Sequence, residues 1–152
     1  MGILDQANKN FDYEIVDDFM EHFEVMKDAM QPAILALSDP NQYSMRIDEL
    51  FRIFHNIKSA SAYLRFEGIL RLSEFVEGAL EEARKSQGPA GDEYIDWLLK
   101  VNDQFAIWFV DLVNNRERFS PLSHSDVFDT PHLISHYAAI RDQAAQDNSI
   151  FL

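Results

Sequence analysis

The chain has 152 residues, of which 47% are hydrophobic and 26% charged. That is the composition of one globular domain with its own core, and it excludes wholesale disorder. Cysteine is absent, which excludes disulfide frameworks and thiolate metal sites, while a formal net charge of −13 sets the surface against nucleic-acid phosphates and anionic membranes.

The N-terminus, Met1 to Gln6, has no basic region followed by an apolar stretch, so it does not read as a secretory signal. Gly2 opens a myristoylation pattern, but no Ser or Thr stands in the required place. Residues 1–12 are expected to be a flexible segment. No apolar run reaches the roughly 20 residues of a membrane span. With no cysteine and no leader pattern, the expected compartment is the cytoplasm.

The first predicted helix runs from Tyr13 to Leu37, with Val16, Phe19, Phe23, Met26, Met30 and Leu37 on one stripe at three- and four-residue spacing. Pro32 is expected to kink or interrupt it near Ala29. The turn Ser38-Asp39-Pro40-Asn41 separates it from a second helix, Tyr43 to Leu64, whose stripe is Ile47, Leu50, Phe54, Ile57, Ser61 and Leu64. A third helix spans Phe66 to Lys85 on Ile69, Leu72, Val76, Ala79, Leu80 and Ala83. After the turn Ser86 to Gly91, Asp92 reads as the N-cap of a fourth helix ending near Asn115. Thr130-Pro131 reads as the cap and first residue of a last helix carrying Leu133, Ile134, Tyr137 and Ile140. No segment alternates with period two, so no sheet is expected. The predicted fold is all-α: an up-down antiparallel four-helix bundle over residues 13–115, a linker at 116–129, an accessory C-terminal helix at 130–146 and a tail at 147–152.

The segment that carries chemistry is Phe54-His55-Asn56-Ile57-Lys58-Ser59-Ala60-Ser61-Ala62-Tyr63-Leu64. At about 100° per residue, the apolar stripe centres near Phe54 and Ser61, and His55 falls on the flank between core and solvent. Ser59 and Ala62 share that flank, with Lys58 nearby. An accessible imidazole among small side chains suits a phosphoryl carrier, because a neutral ring nitrogen must meet phosphorus brought by a second protein. A lysine three residues on can offset phosphoryl charge. The other ring nitrogen needs an acceptor to fix the tautomer. Glu77, on the matching flank of the third helix, is the candidate; Glu74 points further from the core.

At these residues the chain resembles the histidine phosphotransfer domains, and most of all the N-terminal phosphotransfer domain of chemotaxis histidine kinases. The family pattern is His-x-x-Lys-Gly followed by small residues, then an apolar residue and a glycine before the next helix. This chain reads His55-Asn56-Ile57-Lys58-Ser59, then Ala60, Ser61 and Ala62, then Leu64-Arg65. The similarity continues through Ser73-Glu74-Phe75-Val76-Glu77 to Glu81-Glu82-Ala83-Arg84, with weaker likeness in the first and fourth helices. The resemblance implies that His55 is the phosphoacceptor, Lys58 its charge partner and Glu77 the carboxylate beside the imidazole. Ser59 and Arg65 stand where glycines are usual; Gly68 is expected to supply the turn that Arg65 does not.

The other histidines carry less. His132 and His136 are four apart, but two ligands without an intervening glutamate do not make a zinc site, and no Glu-x-x-His pair supports a di-iron bundle. There is no Gly-rich phosphate loop. The expectation is therefore a monomeric carrier with no nucleotide site, cofactor or metal of its own. Mg²⁺ is expected on a partner receiver domain, and the donors and acceptors are response-regulator receivers or a histidine kinase, not nucleic acid or membrane. Phe51, Ser59, Ala62, Tyr63, Phe66 and Leu70 are the expected docking residues. The competing reading is a helical adaptor that keeps the fold and binds a signalling partner without phosphotransfer.

Overall fold

The computed structural model describes residues 1–134. Within them lie five α-helices and no strand: α1 (Ile3–Asn10), α2 (Tyr13–Leu35), α3 (Tyr43–Leu64), α4 (Glu67–Arg84) and α5 (Asp92–Val113). Short 3₁₀ turns occupy Ala36–Ser38 and Ser125–Phe128. None of these helices is long and apolar enough to cross a membrane.

The apolar stripes of α2 to α5 meet in a helical bundle. Phe23 from α2, Phe54 from α3 and Phe105 from α5 are fully buried, with Phe105 centred 6.0 Å from Phe23 and 5.6 Å from Phe54. Each such ring contributes roughly 2–3 kcal/mol through burial. The Tyr43 hydroxyl, buried at the start of α3, donates to Ala83 O near the end of α4 at 2.8 Å. This bond fastens the far end of the α3–α4 pair.

The near end is fastened by a turn of two residues. Arg65 takes the left-handed conformation, φ 62°, and the Arg65 and Phe66 amides donate back to Ala62 O and Ser61 O. Arg65 thus does what a C-terminal glycine does, at the steric cost of a Cβ. Gly68, expected to make this turn, lies inside α4.

Several boundaries differ from the sequence reading. Pro32 does not interrupt α2, which continues to Leu35 and then tightens into the 3₁₀ turn. Pro32 is solvent-exposed and sits in the last turn, so it removes one donor with little of the helix left to bend. Gly91, not Asp92, is the N-cap of α5, and Asp92 and Glu93 face the positive end of the helix dipole in its first turn.

The segment expected to be flexible at 1–12 contains α1, with Ile3 and Ala7 buried. Its first-turn amides are satisfied by the residues that follow α5. Ile3 N donates to Arg116 O at 2.7 Å, and Asn115 Oδ1 accepts from Leu4 N and Asp5 N. Asn115 is left-handed, φ 50°, which turns its amide onto α1. A side chain at Gly2 would collide with Asn115.

The expected linker at 116–129 is packed along the bundle. Asp111, wholly buried, accepts from Ser120 N and Ser120 Oγ and pairs with Arg116. Trp108 Nε1 donates to Ser120 O and Trp97 Nε1 to Val127 O, each at 2.8 Å. Val127 is fully buried. The last helix does not begin at Thr130-Pro131: residues 130–134 are non-helical, and Gly91 N donates to Leu133 O at 2.7 Å. The rest of that expected helix, His136 included, and the expected tail lie outside the described residues.

Two substitutions test these joints. Arg65→Gly removes the left-handed Cβ strain and raises stability by about 1 kcal/mol, read as a higher urea midpoint at unchanged slope. Asn115→Ala strips the borrowed cap from α1, costing about 1 kcal/mol, and selectively raises hydrogen exchange at the Leu4 and Asp5 amides. Unchanged exchange there would show that the Asn115 cap does not hold α1.

Candidate functional site

The site lies on the α3–α4 hairpin. His55 is one position off the buried Phe54, so its ring stands at the edge of the core with the side chain 52% exposed. Glu77 lies 22 residues on, at the equivalent edge of α4, and its side chain is only 11% exposed. The two edges meet: His55 Nδ1 and Glu77 Oε1 are 2.9 Å apart. A carboxylate only accepts, so Nδ1 carries the proton and donates it to Glu77. The lone pair then resides on Nε2, which has no hydrogen-bond partner among the described residues.

Lys58 completes the group from the next turn of α3, with Nζ 2.6 Å from Glu77 Oε2 and the side chain 29% exposed. The carboxylate is thus held on one oxygen by the imidazole and on the other by the ammonium. Burial by itself pushes the Glu77 carboxyl up. The Lys58 ammonium and the His55 N–H, bound to it and close in charge, outweigh burial and hold it below the ordinary glutamate value. Glu77 is therefore an anion through the physiological range. Lys58, the expected charge partner of a phosphoryl group, pairs with Glu77 in this structure.

The surface round His55 is low. Ser59 and Ala62 are exposed, and Ser59 Oγ donates to His55 O, which turns the hydroxyl back along the helix. Tyr63, 57% exposed, packs with Phe11 at 5.2 Å. Leu70 and Phe51 are half-buried. Phe66 is not a surface residue: it is buried between Phe19, at 5.3 Å, and Phe119, at 5.5 Å. The two-residue turn swings Phe66 inward, and the packed 116–129 segment covers it. Glu74 is exposed and lines a groove with Phe75 and Pro131, away from the imidazole.

Sequence reasoning assigned Phe51 only to docking. Its ring lies nearly parallel to that of His55, at 15° with centroids 6.2 Å apart. The Arg84 guanidinium covers Phe51 at 4.4 Å, and Arg84 Nε donates to Asp48 Oδ1 at 3.0 Å. The signal for the α3 part was present: Asp48, Phe51 and His55 follow at three- and four-residue spacing. Nothing in the sequence joined Arg84 to them.

Among the described residues no group of three or more His, Asp or Glu side chains is placed to hold a metal ion. An apolar groove of about 350 Å³, lined by Phe19, Met26, Asn56, Ala60 and Tyr63, runs between α2 and α3.

The chain is 29% identical over 103 residues to the chemotaxis protein CheA of Borreliella burgdorferi. That match covers 68% of this chain and 12% of the CheA sequence, so the chain spans only a small part of the length of that relative. No protein-family model matches, and no solved structure matches. The similarity links the chain distantly to a chemotaxis signalling protein.

Glu77→Gln tests the electrostatics of the site. A carboxyl whose folded value is depressed adds stability that is fully present above its unfolded value and lost as pH falls through the folded one. At neutral pH the substitution lowers stability by about 1 kcal/mol, the worth of charge-assisted hydrogen bonds to a half-exposed partner. The gap between wild type and variant in urea midpoint should close on acidification through the carboxylate range. A gap that persists at low pH would place the effect in packing rather than in charge.

Proposed function

We propose that this chain is a histidine phosphotransfer module, accepting a phosphoryl group on His55 Nε2 and passing it to an aspartate of a receiver domain. The observation that carries the reading is the tether between His55 Nδ1 and the buried Glu77 anion, which leaves the opposite nitrogen exposed with its lone pair. The CheA similarity and the resemblance of the His55 segment to phosphotransfer domains support it. In this reading α2 to α5 form the up-down bundle of that family, and the chain works as a carrier with no nucleotide site of its own.

In the transfer, a receiver or a histidine kinase presents phosphorus opposite Nε2. The receiver brings its aspartyl phosphate and the Mg²⁺ that serves it. Nε2 attacks in line, the P–O bond to the aspartyl group breaks, and the electron pair leaves with the aspartate carboxylate. The ring gains positive charge as the P–N bond forms. Glu77, already ionised and already bonded to Nδ1–H, stabilises that charge without reorganising, as a carboxylate does for imidazolium in a catalytic triad. Lys58 turns from Glu77 Oε2 toward the phosphoryl oxygens as their charge arrives. Positioning and electrostatics are the chain's contribution; the reverse of the same step delivers the group to a second receiver. Low surroundings at Ser59 and Ala62 admit the partner.

Incubation with radiolabelled phospho-receiver domains, beside the His55→Gln variant, tests the proposal. Wild type should take up label that is acid-labile and base-stable, and the variant none. Glu77→Gln should slow uptake on the order of tenfold or more while leaving the bundle folded. Absence of label from a broad receiver panel and from phosphorylated kinases, with the bundle folded, would sink the carrier and favour a phosphotransfer-dead adaptor.

A further inference from the structure

We infer that Phe51, clamped by Arg84 and Asp48, is a positioning residue that sets the plane of the His55 ring; the inference rests on the phosphotransfer reading of His55. One hydrogen bond at Nδ1 does not fix an imidazole. The torsion about its Cβ–Cγ bond is broad, and the ring can swing about the line to Glu77 Oε1 while the bond survives. With half of the side chain exposed, solvent offers no resistance to that swing. In-line attack needs the Nε2 lone pair, which lies in the ring plane, to point at phosphorus. A second constraint on the plane is required, and the structure holds one.

Phe51 is four residues before His55 on α3. Side chains on a helix lean toward its N-terminus, so His55 leans over the turn that Phe51 occupies. The rings lie within 15° of parallel. A half-buried phenylalanine would itself be free to turn, but Phe51 is held. The Arg84 guanidinium of α4 covers its ring at 4.4 Å, a cation–π contact, and Arg84 is fixed in turn by Asp48 of α3 through the 3.0 Å Nε bond. Asp48, Arg84, Phe51 and His55 make a chain of contacts that crosses from α3 to α4 and back. Glu77 makes a second crossing on the other edge of the imidazole. The ring is thus restrained at an edge by Glu77 and flanked by the near-parallel, offset ring of Phe51. Arg84 acts at a distance from phosphorus, through Phe51. A lysine at its place would keep the charge near Asp48 but not the flat contact with the ring.

The test uses a donor too small to need a docking surface. Potassium phosphoramidate phosphorylates an imidazole directly: nitrogen attacks phosphorus, the donor P–N bond breaks, and ammonia departs. The rate of His55 phosphorylation by phosphoramidate is measured for wild type, Phe51→Leu, Phe51→Tyr and Arg84→Lys, each confirmed as folded by circular dichroism and thermal melting. Ring ¹⁵N NMR on the same samples reads the tautomer and the mobility of His55. Phe51→Leu, which keeps apolar bulk, should slow the reaction on the order of tenfold. It should also give a mobile ring with mixed tautomers. Phe51→Tyr, which keeps the aromatic face, should restore both readings. Arg84→Lys should fall between. If Phe51→Leu leaves both the phosphoramidate rate and the ring signals as in wild type, the inference is overturned, and a defect seen only with receiver donors would make Phe51 a docking contact. Failure of the carrier reading looks different: wild type would take no label from receivers, while the ring signals would still report whether Phe51 orders His55.

Discussion

The architecture of the site follows from one buried carboxylate. Removing Glu77 from water between α3 and α4 is unfavourable unless both of its oxygens are matched, and the partners must come from the facing helix. His55 and Lys58 supply them from successive turns of α3, one to each oxygen. This requirement ties the register of the α3–α4 pair to the orientation of the imidazole. A slide of one helix along the other by a single turn would strand the carboxylate. The same bond that stabilises the hairpin therefore selects the ring tautomer and leaves Nε2 outward.

That register is secured at both ends of the hairpin by means unrelated to chemistry. At one end Arg65 accepts a left-handed backbone so that Phe66 can turn into the core. At the other, the buried Tyr43 hydroxyl reaches Ala83 O. The Asp48–Arg84–Phe51 contacts lie between the Tyr43 end and the imidazole. The exposed ring is thus carried on a segment braced at every turn, which suits a group that must be presented to a partner without first being ordered.

The chain outside the hairpin is spent on closing the bundle. Helix α1 caps itself on Asn115, and the stretch after α5 lies back along the core, held by the indole donors of Trp97 and Trp108 and by the buried carboxylate of Asp111. These segments cover Phe66 and the ends of the helices and leave the flank of His55 open. The surface that remains is strongly acidic, as 26 acidic against 13 basic residues require. A partner with a basic face would be drawn to it at a rate that falls with salt.

Much of this was legible in the order of residues. Helical periodicity is a local property, so the spans of α2 to α5, their buried stripes, the flank position of His55 and the matching position of Glu77 all follow from counting along the chain. What the sequence did not determine depends on contacts between distant residues. Thr130-Pro131 has the local chemistry of a helix start, yet the backbone there serves the Gly91 amide instead. Residues 1–12 look too short and polar to hold a helix alone, and they do so only because the side-chain oxygen of Asn115, more than a hundred residues away, accepts from their first-turn amides. Phe66 sits one residue past a helix end, and only the inward turn and the covering Phe119 make it core. Lys58 and Arg84 are long, flexible cations whose partners no spacing rule can name. The tertiary structure engaged Lys58 with Glu77, and laid Arg84 over Phe51, because the closed hairpin brings those groups within reach.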